Sequence, residues 1–120
     1  EHLEARLNLA LLYEYEERYE AVVDLLETFE NNTPLMDFYL ANAYEALEQY
    51  EEAGTLYASI QEDLNTNVDY LNRYVSFLVE EGRRDEALPL AQKLLTLTED
   101  PTWSDFVERM AYEDDFDRYE

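Results

Sequence analysis

A chain of 120 residues with 47% hydrophobic and 14% aromatic side chains is long enough for one modest domain and too apolar to be disordered throughout. Its 8 Lys and Arg stand against 30 Asp and Glu, and a formal charge of −22 makes nucleic acid and anionic membrane poor partners, since both are met by cationic side chains. The absence of cysteine excludes a disulfide framework, a thiolate metal site and a catalytic thiol, and 2 glycines with 3 prolines are too few for a fold that reverses at many tight turns. An all-α chain is expected, with most of its acid forming a solvated surface that also permits a basic partner.

No apolar run approaches the roughly 18 residues of a membrane helix, and no basic-then-apolar leader opens the chain. The lack of cysteine fits a reducing cytoplasm. The sequence starts at Glu1 and not at methionine, so it is expected to belong to a longer protein.

In chain order, Leu3, Leu7, Ala10 and Tyr13 recur at three and four residues and mark one face of a first helix. Tyr19-Glu20 opens a second, with Val22 and Leu26 inward. Asn31-Asn32-Thr33-Pro34 ends this hairpin and begins the next, with Thr33 as N-cap and Pro34 at the first helical position. Leu40-Ala41-x-x-Tyr44 follows in the third helix, and Tyr50-Glu51-Glu52-Ala53 opens a fourth that contains Tyr57. Asn65-Thr66-Asn67 precedes a fifth helix starting at Val68, with Leu71, Tyr74, Val75 and Leu78 inward. Gly82 suits the left-handed conformation that ends a helix, and Asp85 is available to cap a sixth carrying Ala87 and Ala91, with Pro89 within or just after its first turn. After Glu99-Asp100-Pro101, with Thr102 or Ser104 as cap, Trp103, Phe106, Val107 and Met110 continue the spacing before the acidic run Glu113-Asp114-Asp115-Phe116-Asp117.

The segment Leu9-Ala10-x-x-Tyr13 with Tyr19-Glu20 returns 31 residues later as Leu40-Ala41-x-x-Tyr44 with Tyr50-Glu51, and Ala53 with Tyr57 returns after 34 residues as Ala87 with Ala91. Three registered copies indicate a stacked array of repeats. The order large, small, large, small, large in Leu40, Ala41, Tyr44, Ala53 and Tyr57 resembles the tetratricopeptide repeat, a family whose signature is W-x2-L-G-x2-Y, then A-x3-F, then P. The first copy departs from it with Val22 in place of alanine.

The resemblance implies an all-α, right-handed α-solenoid of antiparallel helical hairpins with about seven helices. One array is expected over residues 1–120, with repeats at about 3–33, 34–66 and 67–100 and a terminal or fourth-repeat helix at about 101–116. Trp103, Phe106 and Met110 would shield the third repeat.

The resemblance further implies that first helices line a concave groove that binds an extended peptide or a helix of another protein. Counting outward from the inward stripe, the first copy offers Glu4, Leu7, Asn8, Leu11 and Glu14, and the second Leu35, Phe38, Tyr39, Asn42 and Glu45. The third offers Asp69, Asn72, Arg73 and Ser76. Asn42 or Asn72 could bond a peptide backbone from both sides of its amide, and Phe38 and Tyr39 could supply apolar pockets. Some family members clamp a chaperone's terminal carboxylate with groove cations; here Arg73 is the one candidate cation and a carboxylate would meet Glu4, Glu14, Glu45 and Asp69, so a neutral or basic ligand is expected instead. Tyr13, Tyr44, Tyr50, Tyr57 and Tyr74 fall at packed motif positions, whereas Tyr15, Tyr39 and Tyr70 are less constrained and suit an interface.

No enzyme, metal or cofactor is expected. The one histidine, His2, has no nucleophile paired with it, and Asp114-Asp115-x-Asp117 lacks the glycine and distal glutamate of a calcium loop. The alternative to groove binding is a structural segment that joins neighbouring repeats, or a second copy of itself, through apolar end faces. The acidic, tyrosine-rich, lysine-poor composition points to a bacterial source.

Overall fold

The computed structural model describes residues 3–118, with side chains as far as Met110; His2 and the side chains of Asp114, Asp115 and Asp117 lie outside the described residues. Seven α-helices and no strand occur among them. They fall into two compact units, one ending at Leu64 and the other beginning at Asn65.

The first unit holds α1 (Leu3–Tyr15), α2 (Tyr19–Leu26), α3 (Pro34–Ala46) and α4 (Tyr50–Ser59). Helix α1 packs on α2 and α3, α2 on α3, and α3 on α4. The second unit holds α5 (Val68–Glu80), α6 (Arg84–Thr98) and α7 (Pro101–Arg118), packed in sequence. Connections of three residues between α1 and α2, α3 and α4, and α5 and α6 are short enough to force each pair into an antiparallel hairpin.

Those three connections are the same turn built three times. The N–H groups of Arg18, Gln49 and Arg83 each donate 2.8 Å to the carbonyls of Tyr13, Tyr44 and Leu78, five residues back. The preceding N–H groups, of Glu17, Glu48 and Gly82, reach Glu14, Glu45 and Val79 at 2.9, 3.0 and 3.0 Å. This pair of bonds is the Schellman closure, which requires a left-handed residue after the helix. Gly82 takes it at φ 75°, as its lack of Cβ allows, but Glu17 (φ 58°) and Glu48 (φ 64°) take it too. In the first turn the Arg18 guanidinium also lies 4.7 Å from the Tyr13 ring centroid.

At the helix starts, Thr33 Oγ1 accepts from the Met36 N–H at 3.2 Å, and Asn67 Oδ1 accepts from Tyr70 N–H at 2.9 Å. The cap of α7 is neither Thr102 nor Ser104: Asp100 Oδ1 accepts from the Thr102 N–H at 2.9 Å. Asp85 is not a cap either. Helix α6 begins two residues earlier than such a cap would set, after Arg83, so Asp85 sits in its first turn, where a carboxylate still favours the positive helix end.

Helix α3 lies between α1, α2 and α4 and buries Met36, Phe38, Leu40, Ala41, Asn42, Ala43 and Tyr44. The small residues Ala10, Ala41, Ala53, Ala87 and Ala91 are all fully buried, which lets neighbouring helices approach closely. Tyr57 and Tyr74 are in the core as expected, but Tyr50, at the start of α4, is 43% exposed. Tyr70 reverses the expectation in the other direction. It is fully buried with its ring 5.6 Å from that of Tyr74, and burial pushes its phenol well above the ordinary value of 10.

Candidate functional site

In the second unit, α5 and the start of α7 flank an open cavity of about 500 Å³. Helix α5 contributes Asn72, Val75, Ser76, Val79 and Glu80, residues that recur at three and four positions and therefore share one face. Asp100, Thr102, Trp103 and Phe106 close the other side, and capping by Asp100 fixes where α7 starts. Val75 is buried and Val79, Trp103 and Phe106 are half-buried, so they form the floor. Asn72, Ser76, Glu80, Asp100 and Thr102 are exposed and form the rim. The two floor aromatics pack edge to face with ring centroids 5.4 Å apart, the arrangement their quadrupoles favour.

Of the four groove residues expected from the third repeat, the cavity gathers Asn72 and Ser76; Asp69 and Arg73 are exposed on the same helix outside its lining. Val79 was missed. It stands 34 residues after Glu45, the offset that relates Ala87 to Ala53, so the repeat register carried the signal. Trp103 and Phe106 were expected only to shield the third repeat, because their spacing reads as an inward stripe, yet both remain partly open to this cavity.

The first unit presents the facing pair α1 and α3. On α1, Glu4, Asn8 and Leu11 are exposed while Leu7 and Glu14 are half-buried; on α3, Leu35, Tyr39 and Glu45 are half-buried. Phe38 and Asn42 do not present themselves as expected. Phe38 is buried with its ring stacked 5.5 Å from Tyr39, and Asn42 is 2% exposed. Tyr57 reaches from α4 and its hydroxyl lies 2.7 Å from both Asn42 Oδ1 and Glu45 Oε1, so this amide is committed to the core and not to a peptide backbone. The exposure of Tyr57 could not be misjudged from the sequence, but the length of its reach could.

A second concavity of the first unit, about 340 Å³, is lined by Leu40 and Tyr44 of α3 with Glu51, Glu52, Thr55 and Leu56 of α4. It contains none of the expected groove residues. Tyr44 donates to Glu27 Oε2 at 2.7 Å, and burial together with that carboxylate pushes its phenol up to about 12. Among the described residues no group of three or more His, Cys, Asp or Glu side chains is gathered to hold a metal ion, and no helix is long and apolar enough to cross a membrane.

Antiparallel helix pairs with alanines at their contacts, repeated with the same turn, define a tetratricopeptide repeat protein. The chain belongs to the family of YpiA-like, C-terminal tetratricopeptide repeats, whose model matches residues 34–101, from the start of α3 to the first residue of α7. It is similar to the TPR repeat-containing protein YpiA of Bacillus subtilis (strain 168), at 39% identity over 98 residues. That match covers 79% of this chain and 23% of the relative, so the chain spans about a quarter of the length of that curated relative.

Proposed function

We propose that this chain is a non-catalytic interaction module that holds a neutral or basic segment of a partner protein against its first helices. The reading is carried by the α5–α7 cavity, where an apolar floor is rimmed by hydrogen-bonding groups and carboxylates without a cation among its described lining residues. Membership of a repeat family that serves interaction and scaffolding supports it, as does a charge of −22, which raises the local concentration of basic ligands and repels acidic ones. Expected contacts in the second unit are Asn72 and Ser76; in the first unit, taken by itself, they are Leu7, Leu11, Leu35 and Tyr39. Phage-displayed peptides selected on the chain, then labelled and followed by anisotropy, test the reading. Loss of binding in Ser76→Tyr, with the helical circular dichroism unchanged, supports it; equal binding to that variant removes the cavity from the function.

A second reading, that the segment packs on another hairpin or a second copy through an end face, is favoured by α1. Among the described residues, five of the eight exposed large hydrophobic ones, Leu3, Leu9, Leu11, Leu12 and Tyr15, lie on this one helix. Leu9 and Leu12 stand 31 residues before Leu40 and Ala43, which are buried within the first unit. Sedimentation over a wide concentration range tests it: association that Leu12→Glu abolishes supports the end-face reading, and a monomer throughout excludes the second copy.

A further inference from the structure

We infer that the α5–α7 cavity takes a bulky apolar side chain carried next to a lysine or arginine, a preference that rests on the peptide-binding reading above and gives it a chemistry. The floor of Val75, Val79, Trp103 and Phe106 offers nothing to a polar side chain, because none of these groups except the indole N–H can hydrogen bond. An apolar side chain entering there is desolvated on several sides at once, which is where a binding anchor gains most.

The rim selects what stands beside that anchor. Glu80 at the end of α5 and Asp100 at the start of α7 are both exposed carboxylates, and no lysine or arginine is among the described lining residues. Asp100 uses one oxygen on the Thr102 N–H, which leaves its other lone pairs for a ligand. A cation adjacent to the anchor meets these carboxylates. An acidic neighbour would be repelled by the same two groups and by the net charge of the chain.

Trp103 is the single tryptophan of the sequence, so its emission reports on this cavity alone. The probes are short acetylated, amidated Gly-Ser peptides free of Trp and Tyr, each with a central Leu-Lys, Leu-Glu or Ser-Lys pair and a fluorescein label for anisotropy. Leu-Lys should bind about two- to fivefold tighter than Leu-Glu, the scale of an exposed ion pair, and shift the Trp103 emission as it does so. The advantage should shrink in Glu80→Gln and between roughly 50 and 500 mM salt. Equal affinity for Leu-Lys and Leu-Glu, with Trp103 responding to both, overturns the pairing of anchor and cation but leaves peptide binding in the cavity standing. Anisotropy changes without a Trp103 response overturn the site, and silence from all three peptides and from any display-selected peptide removes the peptide-binding reading with it.

Discussion

The hydroxyl of Tyr57 on α4 lies 2.7 Å from Oδ1 of Asn42 on α3, and Asn42 is the buried polar residue around which these two helices close. The same hydroxyl is 2.7 Å from Glu45 Oε1, so one proton faces two oxygens. Replacing Tyr57 by Phe keeps the ring and its packing but takes away the donor that both oxygens use. The expected loss is about 1–3 kcal/mol of unfolding free energy, the usual scale for stripping a buried polar group of a partner. Asn42→Asp should be worse than Tyr57→Phe, because it sets a second carboxylate beside the half-buried Glu45 at a position that is itself buried. Urea unfolding followed by circular dichroism gives both values, and a neutral Tyr57→Phe would show that the network contributes no stability.

The three Schellman turns make an internal comparison. Glu48 holds φ 64° with a side chain that disfavours it, whereas Gly82 holds φ 75° without strain. Glu48→Gly is therefore expected to stabilise the chain by up to about 1 kcal/mol. Gly82→Ala should cost a similar amount even though a Cβ there would meet nothing within 4 Å, because the cost is conformational and not steric. Opposite shifts of the two urea midpoints check the account; a harmless Gly82→Ala would mean the turn relaxes out of the left-handed region.

Tyr44 carries the pH dependence of the α2–α3 contact. Its phenol loses its proton near 10 in the unfolded chain and at about 12 in the folded one, chiefly through burial and then through Glu27. Between those values the unfolded state has released a proton that the folded state keeps, so the folded state binds more protons and stability falls as pH rises. Below 10 both states are protonated and the contribution is constant. Unfolding midpoints should hold steady up to about pH 9.5 and then decline, with a shallower decline in Tyr44→Phe and a remainder from Tyr70 and Tyr74, which burial also raises. Identical slopes in the two proteins would remove Tyr44 from the explanation.

Charge sets a second condition on stability. With 30 acidic against 8 basic side chains and exposed ion pairs such as Arg83–Glu86, repulsion among carboxylates opposes the compact state. Screening lengths fall from about 30 Å at 0.01 M salt to about 3 Å at 1 M. The thermal midpoint should therefore climb across that range of sodium chloride. A flat response would indicate that the acid is spread widely enough to repel little in either state.

The helices were legible because each signal was local. Thr33-Pro34 and Asn67 announced helix starts, and the three-and-four spacing of Leu71, Tyr74, Val75 and Leu78 fixed the buried face of α5. What stayed hidden was set by long-range contact or by strain. Glutamate at the left-handed positions 17 and 48 gives no turn signal of its own, since glycine or asparagine is the usual occupant. Asn42 looked like a surface amide because its phenol partner lies 15 residues away on the next helix. The cavity was half legible, through Asn72 and Ser76, while its aromatic floor was disguised as core packing.

Leu9 and Leu40 occupy one motif position and meet opposite fates. Leu40, covered within the first unit, is 5% exposed, whereas Leu9 on α1 is 36% exposed. Truncating a buried leucine costs its transfer free energy and leaves a cavity, so Leu40→Ala should lose about 2–5 kcal/mol. Leu9→Ala, with much of its surface already in water, should lose well under half as much. The comparison also discriminates between the two functional readings, because it depends on what covers α1 in solution. If the Leu9→Ala penalty is small at low protein concentration and grows as concentration rises, a second copy covers the α1 face and the end-face reading gains. A penalty that stays small at every concentration leaves that face open in the isolated chain and places association between copies outside its function.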